Sequence, residues 1–236
     1  MNKVIFLFLG LIFSVQSFSL TSYKGSYDLY AETVMGNLKV GTAILNLEIN
    51  NNQFEFTTDA KTESLWKALY DYSRSEKSLG NVIDGQVINT YFSVIEKTQN
   101  EVKKNYEIFI VAGKNFAVTS NGEEFKIKPG VLVDSVSVYL ALSNDMINTP
   151  DKSEFTYQVV GESSVRDLIF KIDGDENILI NEIEVETIRV ICDELKLTIN
   201  LSPKDNFQPI RIHKINGKTA FTMTLIEFKE NPKDVF

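Results

Sequence analysis

The sequence predicts an all-β domain with two short helices, an antiparallel meander that closes into a barrel, a half-barrel or a sandwich. Three observations predict it. First, apolar and polar residues alternate with the period of two that a half-buried strand requires. They do so over Ala43 to Ile49, Tyr106 to Ile110, Phe155 to Val159, Leu168 to Ile172, Ile188 to Cys192 and Leu195 to Leu201. Second, Asp84-Gly85, Asn121-Gly122, Asp173-Gly174 and Asn216-Gly217 punctuate the chain, and such pairs tolerate the positive φ of tight hairpin turns. Third, only two segments carry helical spacing. A sheet of about ten strands without helical cover on both faces must close or fold over itself to bury its apolar side.

The N-terminus comes first in order. Met1-Asn2-Lys3 is a short positive start, Val4 to Phe13 an apolar run, and Ser17-Phe18-Ser19 offers small residues before Leu20. That is the layout of a cleaved secretory signal peptide over residues 1–19. The apolar run is shorter than the ~20 residues a membrane-spanning helix needs. Residues 20–236 then form a single exported domain, with no apolar run of membrane length, in the periplasm of a Gram-negative bacterium.

The chain has 43% hydrophobic and 24% charged residues, the balance of a folded globular protein. Its net charge is −8, and removal of the first nineteen residues, with Lys3, makes it −9. A body that acidic repels phosphate backbones, so nucleic acid is not an expected partner. Cys192 is the only cysteine, which excludes an intramolecular disulfide. It lies in phase with Ile188 and Val190, as a buried thiol would.

The helical segments are Glu63 to Tyr70, with apolar residues at i, i+1, i+4 and i+5, and Asp134 to Ile147, which opens on a capping Asp and stops before Pro150. The first gathers Trp66, Leu69 and Tyr70 with Tyr72 nearby. At a barrel mouth these could line a pocket, or they could be ordinary core.

Chemistry-bearing motifs are sparse. His213 is the only histidine, which removes most catalytic and metal layouts that need two. It shares a strand face with Arg211, while Ile210 and Ile212 take the other. No serine stands in a Gly-x-Ser-x-Gly elbow, and no glycine loop cradles a phosphate. Asp173-Gly174-Asp175-Glu176-Asn177 with Glu184 has the oxygen spacing of a calcium loop, but Ile178 replaces the glycine of its sharp turn; an acidic turn is expected. Glu182, Glu184 and Glu186 read as three carboxylates on one solvated strand face or edge. No catalytic residue, metal ligand or cofactor is assigned.

Three pieces, in order, carry a family resemblance. They are Tyr27 with Gly36-Asn37-Leu38-Lys39-Val40-Gly41-Thr42-Ala43, then Asp134-Ser135-Val136-Ser137-Val138-Tyr139-Leu140, then Pro209-Ile210-Arg211-Ile212. Together they span about Gly25 to Phe228. The chain resembles the bacterial exported family called domain of unknown function 3108. The resemblance implies an exported β domain and carries no catalytic residues, because the family has no assigned activity. By architecture, such a domain is lipocalin-like or lipoprotein-carrier-like. Lysine dominates where the family is rich in arginine, which leaves Arg211 as the candidate for contact with an anion.

The leading expectation is therefore a periplasmic, non-enzymatic protein that binds or carries an apolar or amphipathic envelope molecule in a β-barrel cavity. Trp66, Leu69 and Tyr70 would stand near the mouth, and Arg211 and His213 would be available to a head group. The alternative is a structural or interaction protein of the cell envelope with a protein partner. A hydrolase relying on His213 comes third, and requires His213 in a concave site beside an acid.

Overall fold

The computed structural model describes residues 20–34, 36–99, 101–110, 116–128 and 131–230. The signal segment expected over 1–19 lies outside them. The first half of the chain is built on hairpins: β1 (Tyr23–Thr33), β2 (Gly36–Asn50), β3 (Gln53–Thr62), α1 (Ser64–Leu69), β4 (Tyr72–Ile83), β5 (Gln86–Thr98), β6 (Glu101–Ile110), β7 (Phe116–Thr119) and β8 (Glu124–Lys126). The second half holds β9 (Leu132–Val133), α2 (Ser137–Asn148), β10 (Glu154–Val160), β11 (Val165–Ile180), β12 (Ile183–Cys192), β13 (Leu197–Ser202), β14 (Gln208–Asn216) and β15 (Thr219–Glu230).

The fifteen strands among the described residues join one sheet in the order β8-β7-β6-β5-β4-β3-β2-β1-β15-β14-β13-β12-β11-β10-β9. The pairs are antiparallel except β9 with β10. The first eight strands run outward from the centre, the chain crosses to the far edge, and the rest return until β15 pairs with β1. Among the described residues the sheet does not close by hydrogen bonds, since β8 and β9 are its two edges. It is a barrel-like, unclosed form of the predicted all-β architecture. Both terminal strands are very short, and β6 leaves Glu101 to Tyr106 beyond its pairing with β7. Charges at Glu101, Lys103 and Lys104 guard that edge against strand addition.

The sheet curls around α2. Val138, Leu140, Ala141, Leu142 and Met146 of this helix are buried, and so are Ser143 and Asn144. A helix buried on that many sides needs partners for its polar groups, and it finds them on two connections and a strand. Ser143 donates to the Phe207 carbonyl (2.7 Å) and Asn144 to the Gly85 carbonyl (2.7 Å). Tyr157 of β10 donates to Asp145 (2.7 Å). The helix begins at Ser137, three residues after the expected start. The cap position falls on Val136 instead of Asp134, but the Asp134 carboxylate still accepts the backbone N–H groups of Val136 (2.7 Å) and Ser137 (2.9 Å) ahead of the helix.

Around α2 lie Tyr27, Phe56, Phe92, Phe155, Tyr157 and Phe170, all within one buried cluster. The Tyr27 hydroxyl crosses to donate to the Pro209 carbonyl of β14 (2.7 Å). The cleft left beside α2, between Tyr23, Leu47 and Leu140, measures about 10 Å³, room for about one water. Cys192 is buried on the core side, in phase with Val190. Gly41 of the Gly-Thr-Ala segment is a contact point between strands, because a Cβ there would sit 2.0 Å from the Lys61 carbonyl oxygen.

Asp173-Gly174, read from sequence as a turn, lies instead inside β11. The register of β11 on β12 shifts between Ile172 and Gly174, which is a β-bulge, and Gly174 takes φ +114°. The hairpin turn falls at Asn181 and Glu182, both at positive φ (47° and 68°). Asn tolerates that conformation almost as Gly does, so the turn escapes a search for glycine. Glu182 therefore belongs to the turn, and Glu184 and Glu186 alone continue along the strand, both exposed at its outer end and in phase with the buried Val190 and Cys192.

Candidate functional site: a polar groove on the outer face

The bulge decides what the outer face carries. Without it, Glu176 would keep the phase of Phe170 and Ile172 and point to the core. The extra residue turns it to the opposite face, where it pairs with Thr187 of β12. The same face of β13 presents Thr198 and Asn200, between the core residues Leu197, Ile199 and Leu201. On β14 it presents Arg211 and His213, between Ile210 and Ile212. Thr222 and Thr224 of β15 stand opposite His213 and Arg211 in register. Asn181, at the tip of the β11–β12 hairpin, donates to the Ile226 carbonyl of β15 (3.3 Å), so the hairpin leans back over this face.

The result is a groove of about 680 Å³, well inside the range of small-molecule sites. Tyr30, Glu32 and Asn37 line it from β1 and β2, Asp173, Glu176, Arg189 and Ile191 from the β11–β12 hairpin, and Thr198, Arg211, His213, Thr222 and Thr224 from the remaining strands. Beneath it lies a closed hydrogen-bond network. Arg211 donates through Nη2 to Glu176 Oε1 (2.7 Å) and through Nε to Asn200 Oδ1 (3.3 Å). Asn200 donates through Nδ2 to Glu176 Oε2 (3.0 Å) and to Thr187 Oγ1 (3.1 Å). Thr187 donates to the Glu176 carbonyl (2.6 Å). Asn200 and Thr187 are both fully buried, so these bonds are formed away from water and hold the groove's floor in one geometry.

Arg189 pairs with Asp173 (2.5 Å) and stands 3.8 Å from Glu176. The hydrogen bond from Asn200, then the guanidinium groups of Arg211 and Arg189, hold the Glu176 carboxyl below its ordinary range, although desolvation works against them. Glu176 is therefore a carboxylate at neutral pH. His213 Nδ1 lies 2.9 Å from Thr222 Oγ1. Its bonded neighbour is a hydroxyl, not the acid that a catalytic dyad requires.

The five residues expected at a ligand site separate. Arg211 and His213 come together in the groove. Trp66, Leu69 and Tyr70 sit on and just after α1, between β3 and β4, and none of them lines it. Trp66 is half-buried, Leu69 is 75% exposed and Tyr70 is 56% exposed. Tyr70 stacks on Tyr72 at 6.1 Å between ring centres. Sequence reasoning placed Asp173 and Glu176 in an acidic turn and gave Arg189 and Tyr30 no role, whereas all four line the groove. The available signal was arginine: two of the chain's four arginines, Arg189 and Arg211, fall on outward positions of strands that both flank β13.

A second polar cluster ties the wall together. Arg74 of β4 pairs with Glu76 (2.9 Å) and with Glu96 of β5. Glu76 also accepts from Ser135 (2.6 Å) and Thr58 (3.2 Å). Burial would raise the Glu76 carboxyl, but Arg74 and the two hydroxyls hold it below its usual range. Among the described residues no group of three or more His, Cys, Asp or Glu is placed to hold a metal ion. No helix among them is long and apolar enough to cross a membrane.

The fold defines the class: a β-barrel-like protein, built from one long curled sheet. A solved structure with this fold is the β-barrel-like protein of domain of unknown function 1849 from Brucella abortus. It is similar to this chain with a TM-score of 0.60 at 12% identity, over 89% of this chain and 98% of that one. At that identity the likeness concerns the fold alone. No family model matches the chain, and no curated protein matches it.

Proposed function

We propose that this chain is a non-enzymatic binding protein of the bacterial cell envelope, exported through its N-terminal segment, that holds the polar part of a small or amphipathic envelope molecule in the outer groove. The observation that carries the reading is the groove itself. It is a concave site of about 680 Å³ whose floor is fixed by fully buried Asn200 and Thr187. Preorganised polar groups of this kind lower the cost of ordering on binding. The packed surroundings of α2 argue for the outer face over the interior as the place of binding. The bond from His213 to a hydroxyl argues against acid–base catalysis there.

Native mass spectrometry of residues 20–236, secreted to a bacterial periplasm and purified without detergent, tests the reading. The expected result is a reproducible extra mass, removable by organic extraction and absent from Arg211→Ala. A clean apo mass for the native sequence, unchanged after incubation with periplasmic and membrane extracts, overturns it.

A further inference from the structure

The groove restricts the chemistry of its occupant. Both of its guanidinium groups are already answered by its own carboxylates, Arg211 by Glu176 and Arg189 by Asp173. An entering anion would have to displace Glu176, which Asn200 also holds. An acyl chain fares no better, because Ile191 is the one aliphatic side chain among the twelve described residues that line the groove. What the groove offers is a dense, fixed mixture of donors and acceptors with nearly balanced charge, and the ring of Tyr30. Hydroxyl groups donate and accept at once, so a ligand crowded with them satisfies both sets. Planar carboxylates and guanidinium groups can each engage two neighbouring hydroxyls, and an aromatic face packs against the C–H face of a sugar ring.

We infer that the groove binds a neutral saccharide, free or as the head of a glycolipid, with Tyr30 as the platform for one ring and Asp173, Glu176 and His213 as the groups that bond its hydroxyls. This rests on the groove being the ligand site.

Saturation-transfer NMR and titration calorimetry on residues 20–236 make the test. The free probes are maltotriose and chitotriose. The lipid probe is phosphatidylcholine vesicles containing galactosyl diacylglycerol, and the anionic probes are inorganic phosphate and phosphatidylglycerol vesicles. Saturation transfer to a trisaccharide supports a free glycan; retention on the galactolipid vesicles alone supports a glycolipid head. Either signal should weaken about tenfold or more in Tyr30→Ala. It should persist in Tyr30→Phe, which keeps the ring and removes a phenol 3.4 Å from Asp28. Ile95→Ser, on an exposed part of β5, should leave it unchanged. Tyr30→Phe also serves if Tyr30→Ala does not fold, since loss of binding there sinks the platform role.

Binding of phosphate or phosphatidylglycerol that depends on Arg211 overturns the saccharide inference in favour of an anion. So does the absence of sugar binding when the purified protein carries an extra mass that Arg211→Ala removes, and the binding reading then survives. No sugar binding together with a clean apo mass brings down both.

Discussion

Asp134 concentrates more of this fold than any other polar residue in the core. Fully buried, it accepts from Ser78 of β4 (2.6 Å), from Asn89 of β5 and from two N–H groups at the start of α2. Burial pushes its carboxyl up from 3.8 to about 6, while the hydrogen bonds from Ser78 and the α2 backbone work against that rise. The folded protein therefore holds the Asp134 proton more tightly than the unfolded chain does. Between pH 4 and 6 its contribution to stability falls as pH rises. A difference of that size corresponds to on the order of 2–3 kcal/mol. The thermal midpoint of the native protein should fall from pH 4.5 to 6.5 relative to Asp134→Asn; parallel pH profiles for the two would refute the assignment. Sequence shows Asp134 as a cap because a cap is local. Its bonds to Ser78 and Asn89 span 56 and 45 residues, and no periodicity reports a contact at that separation. Arg211 and His213 were legible for the opposite reason, since alternation alone puts both on one face of one strand.

At the scale of elements, Gly174 decides the groove. A Cβ there meets nothing within 4 Å, so only its backbone at φ +114° resists substitution. Gly174→Ala should cost about 1–2 kcal/mol. If the chain relieves that strain by losing the bulge, Glu176 turns from Arg211 toward the core. Denaturant titration would show the loss of stability, and the NMR side-chain signal of Arg211 Nε would move. An unchanged Arg211 signal with full stability would show that the bulge does not need glycine. The hairpin-turn reading of Asp173-Gly174 failed because positive-φ glycine serves bulges as well as turns. Both helices were legible, α1 from its apolar spacing and α2 from its freedom from Gly and Pro. That α2 lies inside the sheet was not, because the partners that let its Ser143 and Asn144 be buried, Phe207 and Gly85, are 64 and 59 residues away in sequence.

Over the whole molecule, hairpin signals identify neighbours along the chain but not the two places where order departs from it. One is the crossing from β8 to β9, the other the pairing of β1 with β15. Helix α2 makes the two halves interdependent, since it bonds to Gly85 beyond β4 and to Phe207 before β14. Leu142→Ala, a truncation at a fully buried position, should cost about 2–5 kcal/mol. It should lower one transition, seen alike by far-UV and near-UV circular dichroism. Two separated transitions would mean that the halves unfold independently.

The central pairing of β1 with β15 has a consequence for a chain that emerges from its N-terminus. β1 is among the first strands available, yet one of its edges stays open until the last strand arrives. The early hairpins from β1 to β6 can zip as they appear, but the sheet cannot finish its middle until residues 219–230 are in reach. For that whole interval β1 presents an unpaired row of backbone groups beside Tyr23 and Tyr27, the kind of surface that invites the wrong neighbour. A holdase that shields nascent strands would find its client in that window, and β15 is the element that ends it.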